Sequence, residues 1–443
     1  MDPRLRRARW LVLAVPSLIY VFSYFHRIAP AVVAGDLMRA FEISAASLGT
    51  LAAIYPYVFV AMALVAGSLT DTLGARRTLA LGAAGMGVGA IVFGLAPGFP
   101  VAVAGRLVVS LGASVILIAF LALAADWFRP DEFATVSGFT QTVGNVGGLV
   151  AASPLALLVE AIGWWQSFVV IGVVTLALGT LPLVAIHDRP EAAGLPAVDP
   201  GHRRAPTLRE VIGGVPPVIG NRRTWPPVLA AGAVYATLIA FQGLWGVPYL
   251  AQRYDVARVG AATLVSLIAV GLIVGAPLVG LVSDRWLGRR RAPFLVSAAC
   301  YALCWLPLAV PGLEPPASLL APFFFLMGFF ASGLVLVWSC VREVNDPARV
   351  GIAVGFCNAP IFLLFALMQW LTGAMLDARW EGATAAGTRL YPAGAWHAAF
   401  GACLALAAAG VVAAALVTET RCRSVWGAPA RASGDAVRGR GRR

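Results

Sequence analysis

Twelve apolar runs, each about as long as a bilayer is thick, constrain this chain more than any other feature. They fall at 11–34, 47–69, 78–95, 99–123, 134–159 and 165–185, then at 227–250, 261–282, 292–310, 319–341, 350–371 and 395–417. A helix needs about 20 apolar residues to cross a hydrocarbon layer of roughly 30 Å. Soluble domains carry about 25% charged residues. This chain carries 12%, with 60% hydrophobic residues and a mean hydropathy of +0.82. The period-two alternation of a barrel is absent, so the expected fold is all-α, with twelve transmembrane helices in two six-helix bundles.

The expected organisation is an N-terminal bundle over 1–185, a cytoplasmic linker over 186–226, a C-terminal bundle over 227–417 and a basic cytoplasmic tail over 418–443. The linker is rich in Pro, Gly and charge. Arg4, Arg6, Arg7 and Arg9 precede the first run in the manner of a signal peptide. Its apolar core is too long for one and no short cleavage site closes it, so it reads as a retained helix.

All 33 basic residues are arginine, which excludes Schiff-base and lysine-base chemistry. With the N-terminus inside, 26 arginines fall on the cytoplasmic side, five on the outer side and two, Arg27 and Arg106, within runs. This asymmetry places both termini in the cytoplasm and the protein in the inner membrane. The net charge of +12 thus follows from orientation, and no nucleic-acid partner is expected. The six cysteines form no secreted disulfide framework. Cys300 and Cys304 lie at i, i+4 without His or Met ligands beside them, so neither a metal nor a cofactor is expected.

The halves repeat. Gly67-Ser-Leu-Thr-Asp71-Thr-Leu-Gly74-Ala-Arg76-Arg77 returns as Gly280-Leu-Val-Ser-Asp284-Arg-Trp-Leu-Gly288-Arg289-Arg290-Arg291, with one extra residue before Gly288. Phe41-Glu42-Ile43 returns as Tyr254-Asp255-Val256, Gly138-Phe139 as Gly355-Phe356, and Glu160 as Asp377. Two halves of like orientation imply an axis along the membrane normal, with a site at their interface.

The twice-occurring loop resembles the signature of the major facilitator superfamily (MFS), and the resemblance covers nearly the whole chain. Tyr24-Phe25-His26-Arg27-Ile28-Ala29-Pro30, Asp36-Leu37-Met38 and Gly243-Leu244-Trp245-Gly246-Val247-Pro248-Tyr249-Leu250 resemble a bacterial branch akin to sugar-phosphate and organic-anion permeases. The resemblance implies that Gly67, Asp71, Gly74, Arg76 and Arg77, with Gly280, Asp284, Arg289 and Arg290, form gating loops. The other reading is a fixed topology and capping device. Gly67 and Gly74 are expected to permit close packing and a tight turn, and the compact first copy is expected to matter more.

Arg27 lies about 24 Å along the first helix at 1.5 Å per residue. A central Arg costs about 2.5–3.5 kcal/mol in lipid, so it should face a cavity and meet an anion. No acidic residue lies in the first run, and Tyr20, Ser23 and Tyr24 share its face. Arg suits a carboxylate or phosphate through two parallel hydrogen bonds. A structural pairing and snorkelling to the outer interface are the other readings. Across the interface, Tyr235, Gln242, Trp245 and Tyr249 on the seventh helix, with Gln141 and Asn358, offer polar groups and an aromatic wall. Each also suits helix packing. The repeat aligns Arg27 with Gly243, so a single negative charge fits better than a phosphate clamped by two symmetric arginines.

His26 could carry a coupling proton or serve packing. Arg106 matches the superfamily's G-R-x-x-x-x-x-G pattern, which the resemblance associates with coupling or helix contact. No catalytic set, carboxylate pair or ATP-cradling loop occurs, so an enzyme is not expected. The leading expectation is a monomeric secondary transporter of a small organic anion, such as a monocarboxylate or peptide, driven by a proton or counter-solute. A multidrug/proton exporter and a transporter-like solute sensor are the alternatives.

Overall fold

A computed structural model describes residues 3–63, 65–196, 208–385 and 387–427. Among the described residues, twelve helices are long and apolar enough to cross a membrane, one on each expected run. We number them α1 (Pro3–Val32), α2 (Ala45–Met62), α3 (Ala75–Gly94), α4 (Phe99–Trp127), α5 (Pro130–Val150 continued by Ser153–Ile162) and α6 (Trp164–Ala185). The second six are α7 (Trp225–Tyr254), α8 (Arg258–Leu287), α9 (Arg291–Ala309), α10 (Ala317–Val344), α11 (Val350–Asp377) and α12 (Ala393–Ala415). An even number of crossings leaves both chain ends on one side, called the terminal face below.

The segment between the halves is not wholly irregular. It holds a short 3-10 turn at Glu191–Ala193 and a helix at Leu208–Gly220. Shorter helices at Ala34–Ala40 and Val65–Leu73 flank α2, and a two-stranded hairpin, β1 (Thr384–Ala385) with antiparallel β2 (Thr388–Arg389), links α11 to α12.

The repeat is visible in the backbone. Glu42 and Asp255, matched by sequence, both take the left-handed conformation, at φ of 53° and 52°. The extra residue in the second loop is absorbed as a π-helical turn at Val282–Leu287, the form that an insertion into a helix commonly takes. Packing within the first half uses glycine as membrane helices commonly do. Gly82 and Gly89 of α3 face Gly112 and Gly105 of α4, and a Cβ on Gly89 would stand 2.7 Å from the Gly105 carbonyl oxygen.

The halves meet along α1 with α7, α2 with α11 and α5 with α8. α2 and α11 touch backbone to backbone, since a Cβ on Gly49 would lie 2.5 Å from the Gln369 carbonyl oxygen and one on Gly373 would overlap the Ala45 carbonyl. Polar contacts tighten the face opposite the termini. Arg258 pairs with Asp36 at 2.8 Å, and Ser153 meets Thr263 at 2.7 Å. The Asp377 carboxylate accepts from the N–H groups of Ala45 and Ala46 at 3.0 and 2.7 Å, capping the first turn of α2 from the other half.

Candidate functional site

Arg27 projects from α1 toward α7 and is 5% exposed. Its Nη1 donates to the Tyr235 hydroxyl at 2.6 Å, a bond that crosses between the halves. Its guanidinium carbon lies 4.1 Å from the ring centre of Tyr24, 5.3 Å from Tyr55, 5.6 Å from Phe59 and 5.4 Å from Phe362. Phe59 of α2 and Phe362 of α11 stack across the interface at 5.3 Å and 8°. No carboxylate pairs with Arg27 among the described residues, and its Nε has no hydrogen-bond partner. The cation is therefore stabilised by one phenol and by ring faces, each cation–π contact contributing about 0.5–2 kcal/mol.

Local sequence explains the cage. Tyr24 can reach Arg27 because α5 presents glycine to α1, where a Cβ on Gly144 would lie 2.7 Å from the Tyr24 ring. Tyr20 joins through an edge-to-face contact with Tyr24 at 5.3 Å. Tyr55 donates to the Ser23 carbonyl at 3.1 Å, so the α1 hydroxyl stripe docks on α2.

Arg106 of α4 is 3% exposed and lies 5.3 Å from the other side of the cluster, at the Tyr55 ring. Its Nη1 donates to the carbonyl of His26. Pro30, four residues on, has no N–H for that oxygen, so proline frees an acceptor and arginine takes it. The contact ties α4 to α1. The His26 ring packs edge-on to Phe25 at 5.5 Å, and its Nε2 is buried without a partner.

Several expected residues are not brought to Arg27. Trp245, in the π-helical turn Phe241–Trp245 of α7, donates to Thr372 at 2.8 Å and packs on Trp396. Tyr249 packs on the rings of Trp396 and Phe400. Asn358 donates to the Val354 carbonyl of its own helix at 3.3 Å. Gln242 is buried about two turns beyond Tyr235 along α7, where it lines a void of about 10 Å³ with Ile28, Ala31, Val32 and Val247. That void shares Ala31, Val32 and Val247 with a cavity of about 420 Å³ on the opposite face, flanked by Arg39, Arg258 and Tyr391. Gln141 lies on α5, but its side chain falls outside the described residues.

The loops also differ from expectation. Gly74, at φ of 83°, makes the expected turn, but a Cβ on Gly67 or Gly280 would meet open space, so neither mediates close packing. Asp71 is exposed and makes no ion pair among the described residues. The start of α3 is instead capped by Asp188, which accepts from the Arg76 N–H at 2.7 Å, while the Arg76 guanidinium reaches the Leu183 carbonyl. Arg77 is exposed.

The second copy, expected to matter less, holds the denser network. Arg290 is 4% exposed and pairs with Glu343 at 2.8 Å and with Asp284, and Thr420 donates to Glu343. Glu419 caps α9 by accepting from the N–H groups of Arg290 and Arg291 at 3.0 and 3.1 Å. Arg289 stays exposed. In this conformation the first loop bonds to the end of α6 and the segment after it, and the second to α10 and the segment after α12. Sequence reasoning missed Tyr55, Phe59 and Phe362 at the cage and the contacts of Asp188, Glu343 and Glu419 elsewhere, and it singled out Asp377 only as a repeat match. For Tyr55 and Phe59, the i, i+4 spacing on α2 was the one available signal.

The Major Facilitator Superfamily model matches residues 17–257 and again 228–438. The chain belongs to the Major Facilitator Superfamily. It is a multi-pass membrane protein, and its general class is that of secondary transporters. It is 26% identical over 409 residues to the membrane sensor protein UhpC of Salmonella typhimurium, covering 86% of this chain and 89% of that protein. It is 24% identical over 285 residues to the probable sulfoacetate transporter SauU of Cupriavidus necator, covering 63% and 66%. In fold it is similar to a bacterial homologue of the human lysosomal transporter Spinster in an inward-facing, unoccupied conformation. The TM-score is 0.76 at 17% identity, over 95% of this chain and 98% of that one.

Proposed function

We propose that this protein is a secondary active transporter of a small organic anion, working by alternating access in the inner membrane with both termini in the cytoplasm. The observation that carries this reading is the Arg27 guanidinium, buried at the interface of the halves with no carboxylate paired to it among the described residues. A cation kept in such a place at a cost of about 2.5–3.5 kcal/mol is explained by a solute that supplies the missing charge. Tyr20, Tyr24 and Tyr235 would contact the solute around it, and Gln242 would line its route to the opposite face. A carboxylate, borne by a monocarboxylate or peptide, is the proposed group. That a relative is described as transporting sulfoacetate, itself an anion, supports the class. With the opposite face tied shut by Asp36–Arg258 and Asp377, solute would exchange with the terminal face in this conformation. His26 and Arg106 are the coupling candidates.

The test is uptake into proteoliposomes from a panel of lactate, a dipeptide, sulfoacetate, glucose 6-phosphate and a cationic dye. The expected result is accumulation of at least one anion, with R27A and R27K each lowering it at least tenfold while the purified variants keep wild-type helicity. Transport of the dye alone, or anion uptake that survives R27A, overturns the reading. The likeness to a membrane sensor favours one second reading, in which an anion raises thermal stability but none crosses.

A further inference from the structure

The Arg27–Tyr235 bond raises a question that solute binding alone does not answer: what the cation does when no solute is there. Changing access without solute means closing protein around Arg27 and stripping its water. An unsatisfied guanidinium opposes that step, because a buried charge without partners is far costlier than a paired one. In this structure the Nη1 edge of the guanidinium already has a protein partner. The Tyr235 hydroxyl, from the other half, stands 2.6 Å from Nη1, and Tyr24, Tyr55, Phe59 and Phe362 surround the remaining faces.

We infer that Tyr235 serves Arg27 as a resident substitute for the solute, so that the empty protein passes between access states and moves solute net rather than only in exchange. The inference rests on the assignment of Arg27 to solute binding.

The chemistry of the acceptor suits this role. A carboxylate at position 235 would neutralise Arg27 permanently and compete with an anionic solute on equal terms. A phenol is a neutral acceptor that takes one bond from the guanidinium, whereas a carboxylate brings a full opposite charge and accepts two parallel bonds from its fork. An arriving carboxylate therefore displaces Tyr235, and its departure lets the phenol return. Because Tyr235 sits on α7 and Arg27 on α1, the same bond joins the two halves whenever solute is absent. Phe362, with its ring centre 5.8 Å from that of Tyr235, holds the phenol toward the interface.

The experiment compares hydrogen–deuterium exchange of the full-length, solute-free protein in nanodiscs with that of Y235F, Y235H, R27Q and R27Q/Y235F. The expected result is a several-fold rise in exchange over residues 36–48, the opposite-face closure, in Y235F. Residues 75–94 of α3, which do not touch the bond, should stay at the wild-type rate and so report that the variant is folded. Y235H, which retains an acceptor, is expected near wild type, and Y235F is expected to add nothing in the R27Q background. Equal exchange over 36–48 in wild type and Y235F, or the same rise with and without Arg27, overturns the inference. This comparison needs no solute, so its failure is separable from failure of the cargo assignment. With a transported anion in hand, the ratio of net uptake to exchange should fall about tenfold in Y235F, and an unchanged ratio also overturns it.

Discussion

Arg106 donates to the backbone carbonyl of His26, the acceptor that Pro30 leaves without a helical partner. Two features that look separately like defects of membrane helices, a buried arginine and a mid-helix proline, thus resolve each other.

That relationship predicts energetic coupling. P30A restores an N–H that competes for the His26 carbonyl, so R106L should destabilise less in the P30A background than in the wild type. A double-mutant cycle of thermal stability in detergent is expected to give a coupling of about 0.5–3 kcal/mol. Additive effects would show that the proline and the arginine act independently.

The two loop copies should respond unequally to substitution. R290A leaves Glu343 buried without its partner and is expected to cost about 3–5 kcal/mol. R77A removes an exposed side chain and should change stability by no more than about 0.5 kcal/mol. Thermal unfolding of both variants under one set of conditions decides the order.

Asp377 should govern closure of the face opposite the termini. D377N weakens the charge-assisted cap on α2 and the pairing with Arg389 at 3.1 Å. Loss of a cap costs about 0.5–2 kcal/mol. Amide exchange over residues 45–48 is expected to rise, with that of α3 unchanged. Protection equal to wild type would remove Asp377 from the closure.

Acid should loosen the loop before α10. The Glu314 carboxyl is drawn down to about 2 by its own backbone N–H first, then by Arg253 at 3.2 Å, His397 at 3.0 Å and the Gly312 N–H. A lowered folded-state pKa contributes stability that is full above the ordinary carboxylate range near pH 4.5 and is lost as pH falls toward 2. E314Q should therefore flatten the decline of thermal stability across that window and lower stability above it. A slope identical to wild type would place the acid sensitivity elsewhere.

How far the chain could be read depends on what kind of signal each feature leaves. Span number and the repeat were legible because hydropathy and the loop pattern are one-dimensional, and Glu42 and Asp255 share even a backbone conformation. Arg27 was legible because a charge in an apolar run is conspicuous. Tyr55, Phe59 and Phe362 were not, since an aromatic residue in a lipid-crossing helix carries no mark of which way it faces. Trp245 and Asn358 were placed beside Arg27 on chemistry alone, whereas the direction each side chain takes is set by packing, which gives Trp245 to Thr372 and Asn358 to its own helix. Asp188 and Glu419 come from segments beyond the spans, where no periodicity points to a partner.

Gly49 and Gly373 allow α2 and α11 to lie in direct contact where the halves close. The resting posture of the carrier thus hinges on two absent methyl groups. Restoring either one acts as a wedge, prying the lobes apart at a point remote from the cargo and biasing the machine toward its other posture without altering any group that recognises the load.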